Sequence, residues 1–227
     1  MAQRPVFEVY ETAPFFHEQM IDFVWNKGQS ISQKRKNVTA LHLSYAELFP
    51  GKKVLEISSR SLQPEGLPLS AFKLQKYVPG LRETLPVENL YQGGKVFESG
   101  GPCLDMYDLT AREAKKDERL HSLGRVTGFF YEGRVYPVVH YDAFYNWLYI
   151  NALLENPELS SPLLQYDAFT DLAYNPNTGT SCQARSAAIF VALMKNDRID
   201  VAKDFDEFEN AVYRTKNSVQ SGTAHNP

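Results

Sequence analysis

Residues 141–156 read YDAFYNWLYINALLEN and leave almost no side to face water. Apolar and aromatic residues fill nearly every face of a helix drawn through them, which marks a helix enclosed by the rest of the chain. Asn156–Pro157 ends it, since a residue before proline is pushed out of the helical region. CQARSAAIFVALMKN at 182–196 reads as a second core helix. With 227 residues, the chain is long enough to wrap a real core around both.

The wrapping must come from what precedes them. PVFEVYET (5–12) alternates weakly and is expected to enter as a strand. FHEQMIDFVWN (16–26) has Met20, Phe23 and Val24 at helical spacing, or else forms an irregular aromatic segment. After a short strand or helix from Asn37, Pro50–Gly51 makes a turn into a strand at 53–58. LQPEGLPLSAF (62–72) is a turn-rich loop leading into Ser70 and Phe72. DLTAREAKKDERLHSL (108–123) is charged and helical by propensity, a solvated surface helix. RVTGFFYEGRVYPVV (125–139) is a hairpin about Glu132–Gly133. No repeat or linker interrupts the chain. The expectation is one α+β domain over 1–213, mainly a helical core with a small antiparallel sheet or hairpin, and a polar, frayed tail over 214–227.

Net charge is −3 and the sequence pI about 6.0, which argues against a broad, non-specific polynucleotide binder. The dense basic run is SQKRKN at 32–37, with Lys34, Arg35 and Lys36, and its default reading is a solvated loop. Cys103 and Cys182 imply no disulfide framework and read as free thiols. The chain shows no signal-like start and no 18-residue apolar run, so a cytoplasmic protein without membrane contact is expected. Its five histidines are scattered without metal-ligand spacing, and CxxC, Walker A, GxGxxG and GxSxG motifs are missing. Zinc, NTPase, Rossmann and serine-hydrolase chemistry lose their usual evidence; no metal and no cofactor are expected.

LPVENLYQGGKVFESGG (85–101) is the candidate for carrying chemistry. Drawn as a helix over 86–97, it places Glu88, Tyr91, Gln92 and Lys95 on one face. Polar helix faces usually meet only water. Here Gly93 and Gly94 sit in the middle of the segment and suggest that a ligand or another backbone approaches closely. Asp167 and Asp171 bracket AFT farther on, either as turn acids or as a second carboxylate facing Glu88. Trp147 falls on the enclosed helix, by default in the core.

VENLYQGGKVF, LSAF at 69–72, FYNWLYINALL and YDAFTDLAYNP…CQAR together resemble the NADAR family. Within it they resemble the branch of guanine-specific ADP-ribosyl hydrolase antitoxins paired with DarT-type DNA ADP-ribosyltransferase toxins. The resemblance spans about residues 30–200. It implies a YbiA/NADAR-like fold and a glycosidase that removes ADP-ribose from guanine in single-stranded DNA, or RNA, releasing ADP-ribose. It assigns the acid/base to Glu88, completed by Lys95, Trp147 and Asp171. Lys95 would clamp an oxygen or attack C1″, and the two roles stay open. Tyr91 or Trp147 would stack on a base, Arg60 would hold the diphosphate or lie on the surface, and Gln92, Ser70 and Phe72 would line the site. Ala71 departs from the family's usual Asn, and no Trp-Gly follows the downstream acid, which leaves Asp167 in competition with Asp171. Two other readings compete: an N-glycosidase acting on small phosphoribosyl compounds, and a non-catalytic protein that sequesters a toxin.

Overall fold

Along the chain come β1 (Ala2–Val9), β2 (Phe16–Phe23), α1 (Ile31–Leu48), β3 (Val54–Glu56), β4 (Gln75–Val78), β5 (Glu83–Pro86), α2 (Val87–Gly93) and β6 (Lys95–Phe97). There follow α3 (Ala111–Ala114), α4 (Arg119–Ser122), β7 (Val126–Tyr131), β8 (Arg134–Pro137), α5 (Ala143–Glu155), α6 (Pro157–Ser160), β9 (Ala168–Thr170), α7 (Gln183–Lys195) and α8 (Phe205–Tyr213). This computed structural model describes residues 1–177, 179 and 181–213. The polar tail expected from 214 lies outside them.

The fold is α+β, as expected, but its largest sheet is mixed. Its strand order is β2-β1-β9-β3. β1 pairs antiparallel with both β2 and β9, whereas β3 runs parallel to β9 with Glu56 opposite Thr170. Side chains alternate across the pleat. Phe7, Leu55 and Phe169 join the core around α5 and α7, while Val6, Ile21 and Ala168 join Val38, Leu41 and Tyr45 of α1. The sheet is therefore covered on both faces. A three-stranded antiparallel sheet, β6-β7-β8, leans on α5, where the rings of Phe129 and Phe144 stack 4.6 Å apart. The expected hairpin turn is present at Glu132–Gly133, both with positive φ (47° and 80°), as a tight two-residue turn requires.

Four expectations change. Residues 16–23 form a strand, because buried Ile21 and Phe23 flank exposed Asp22 with the period of a pleat and the whole segment pairs with β1. The basic run at 32–37 lies on α1, which Ser30 caps by accepting from Gln33 N. The charged segment 108–123 breaks into α3 and α4. Asp117 accepts from Arg119 N, a local bond that competes with helix continuation.

The fourth change concerns α2. It stops at Gly93, so Lys95 stands on a strand, and every residue of the helix is buried. The two glycines make room for protein. A Cβ on Gly94 would lie 2.5 Å from Phe130 O, and one on Gly93 would lie 2.8 Å from the Tyr107 ring.

Candidate active site

Three segments meet around a cavity of about 610 Å³. The first is the start of α2. Glu88 N donates to Ala71 O at 3.0 Å and Val87 N donates to Leu74 O at 3.0 Å. Ala71 N donates to Gln183 Oε1 at 2.8 Å, and Gln183 Nε2 donates to Ile57 O. The first residue of α7 thus ties the 69–74 loop to the end of β3 and sets where Glu88 emerges. The second segment is the pair of loops leaving the carboxyl ends of β3 and β9, which carry Ser58–Arg60 and Asp171–Ala173. The third is α3 and the residues after it, contributing Arg112, Lys115 and Lys116.

Glu88 faces this space from a side chain only 3% exposed. Its Oε1 accepts from Gln92 Nε2 at 2.7 Å and pairs with Lys115 Nζ at 3.2 Å. Gln92 Oε1 in turn accepts from Lys95 Nζ at 2.7 Å. Burial lowers the Lys95 amine to about 8, with Glu88 pulling it up and Lys115 pushing it down. Across the cavity, burial raises Asp171, while a bond from its neighbour Ala173 N and the Arg60 and Lys115 charges draw it back. Lys34 and Lys73 complete a ring of six cationic side chains around the two carboxylates. Tyr145 and Phe72 supply aromatic surface, and burial keeps the Tyr145 phenol protonated.

This geometry can hold a ligand bearing several negative charges and present one of its bonds to two carboxylates. The sequence pattern of DarT1-associated NADAR antitoxins matches residues 2–222. The chain belongs to that family. Among curated proteins, none matches it.

In this NADAR antitoxin, five of the residues expected at the site line the one cavity: Glu88, Asp171, Arg60, Ser70 and Phe72. Gln92 and Lys95 stand behind Glu88 and reach it through hydrogen bonds. Tyr91 is not among the lining residues. It stacks on Phe129 and meets the lining Tyr145 edge-on at 4.9 Å, with Lys95 Nζ 4.7 Å over its ring. Trp147 is a correction. Its indole packs among Tyr131, Tyr136 and Phe205 and donates to Ala202 O at 2.9 Å, away from the cavity lining. The enclosed helix turns that position into the core, and Tyr145, two residues earlier, faces the cavity instead.

Strand direction places the two aspartates at opposite ends of β9. Asp167 precedes β9 and accepts from Lys53 N at the opposite end of the parallel pair, whereas Asp171 follows β9 into the cavity. The basic wall of Arg112, Lys115 and Lys116 was missed. Its signal was the charge run at 108–123, which carries the same composition as a solvated face. Among the described residues, no cluster of three His, Cys, Asp or Glu is placed to hold a metal. No helix there is long and apolar enough to cross a membrane.

Proposed function

We propose that this antitoxin is a glycosidase that removes ADP-ribose from guanine in single-stranded nucleic acid, DNA foremost, and so reverses the mark of its associated toxin. The observation that carries this reading is the pairing of Glu88 with Asp171 in a cavity otherwise ringed by cations. Arg60 and the lysines just after α3, Lys115 and Lys116, suit a diphosphate, with Arg60 able to take two oxygens at once. Phe72 and Tyr145 offer surfaces for adenine or guanine. Chemistry on a base requires it out of the duplex, hence the single-stranded substrate.

The reaction cleaves the bond between ribose C1″ and a guanine amine, through a state with oxocarbenium character. Glu88, held by Gln92 and Lys115, takes a proton from water as the water oxygen attacks C1″. Asp171, raised by burial, is suited to give a proton to the departing amine. Lys95 sits behind Gln92, so we assign it to holding Glu88 rather than to attack on the sugar. A borohydride-stable adduct on Lys95 formed during turnover would reverse that assignment.

The test is release of free ADP-ribose from a guanine-ADP-ribosylated, single-stranded oligonucleotide, followed by chromatography. The wild-type chain should release it, and Glu88→Gln should slow release by about 10²–10⁴-fold. No release by the wild type, or undiminished release by the variant, sinks the reading.

A further inference from the structure

We propose that Glu56 is the positioning residue of this site: buried beneath the cavity, it clamps the two loops that present Arg60 and Asp171, and acts through them without touching substrate. The inference rests on the function proposed above for the cavity, and the geometry behind it is independent of that function.

Glu56 is the last residue of β3 and is fully buried. Its Oε1 accepts from Ser58 Oγ at 2.6 Å, and its Oε2 accepts from Thr170 Oγ1 at 2.7 Å. Leu172 N donates to both oxygens, at 3.1 and 3.2 Å. Each donor has a second task. Ser58 Oγ accepts from Arg60 N at 3.0 Å, which shapes the turn that carries Arg60. Leu172 is the neighbour of Asp171, so fixing its amide fixes where that carboxylate starts. Thr170 spends its proton on Glu56, so its oxygen takes the bond from His42 Nε2, 2.9 Å away. His42 is then neutral with its proton on Nε2, in keeping with burial that lowers it to about 4.

Three donors, from the end of β9 and from the loops after β3 and β9, converge on one group, and the ionised carboxylate, which only accepts, satisfies them all. An amide at position 56 would turn an N–H against a hydroxyl proton or against Leu172 N. A buried carboxylate is a costly way to join two strands, since parallel pairing already does that. Its placement is explained by what it holds at the carboxyl ends of β3 and β9, the two loops that form one wall of the cavity.

The experiment measures kcat/KM on the modified oligonucleotide for Glu56→Gln and Thr170→Val, each in two backgrounds: wild type and Arg60→Ala/Asp171→Asn. Thr170→Val keeps Glu56 and removes one donor, so it serves even if Glu56→Gln folds poorly. In the wild-type background each change should cost about 10-fold, the loss of a charge-assisted hydrogen bond's placement. In the double-variant background it should cost less than about 3-fold, because the residues through which Glu56 acts are gone. Amide exchange at Arg60 and Ala173 should accelerate in both variants while α5 keeps its protection. Equal costs in the two backgrounds, or unchanged exchange at Arg60 and Ala173, would overturn the proposal. If the wild type releases no ADP-ribose, the function fails, and exchange alone still decides the role of Glu56.

Discussion

Two cavities of nearly equal size stand at opposite ends of α2, and their charges are opposite. At its first turn, Glu88 opens onto about 610 Å³ ringed by six cationic side chains. At its far end, Gly93 and Gly94 pack against Tyr107 and Phe130, which line a space of about 570 Å³. That second space is bounded by the β4–β5 and β7–β8 turns, and its charged lining residues are Glu83, Asp108 and Glu132, with no cation. A chain with net charge −3 therefore hides one strongly basic pocket and one acidic one. Size does not distinguish a site for a diphosphate; the sign and convergence of its charges do. One short helix serves both ends, polar side chains at one and glycine at the other.

Charge exchange is the strongest way to break this contrast. Arg60→Ala with Lys116→Ala should weaken ADP-ribose binding by about 100-fold in calorimetry, roughly one decade for each charge-assisted hydrogen bond removed. Glu83→Gln with Glu132→Gln, the mirror change in the acidic cavity, should leave affinity within about 2-fold. Equal losses from both pairs would mean that charge does not select the site.

A smaller effect is expected where α2 ends. Gly94→Ala puts a methyl group against Phe130 O, and backbone yields poorly, so unfolding in denaturant should show about 1–3 kcal/mol of lost stability. Release of ADP-ribose per folded molecule should be kept, because the crowding lies away from Glu88. A fall in activity at unchanged stability would instead tie the glycines to the ligand.

What the sequence disclosed follows this division. The enclosed helices were legible because a run apolar on every face has one solution, and the Glu132–Gly133 hairpin because its turn needs those backbone angles. Glu88 stood out through its motif. The cavity as a whole did not, because its cations come from α1, the β3 and 69–74 loops and α3, and no spacing rule links such segments. Residues 16–26 offered Met20, Phe23 and Val24 at helical spacing and Ile21 and Phe23 at that of a strand, and pairing with β1 chose between them. The glycines of α2 announced a close approach without naming its partner. Glu56 gave no signal, since a single acid at a strand end becomes informative only when Thr170 and Leu172 are beside it.

The smallest expected effect concerns pH. Burial, then the nearby Asp171 carboxylate, raises Glu56 from the usual 4.5 to about 7, against the pull of its hydrogen bonds. Between those values the folded chain holds a proton that the unfolded chain releases, so this group's contribution to stability declines as pH rises through the window. Glu56→Gln removes that decline. The stability of the wild type relative to Glu56→Gln should therefore fall as pH rises from about 4.5 to about 7. Parallel curves would place the ionised form of Glu56 at no disadvantage in the folded chain.

The basic cavity's claim to the ligand is tested most directly by titrating ADP-ribose into the isotope-labelled chain and following amide resonances. The account predicts saturable shifts at Arg60, Ser70, Lys115 and Asp171, with Leu81, Leu104 and Gly133 unmoved. Shifts at the latter three with the first group silent would contradict it.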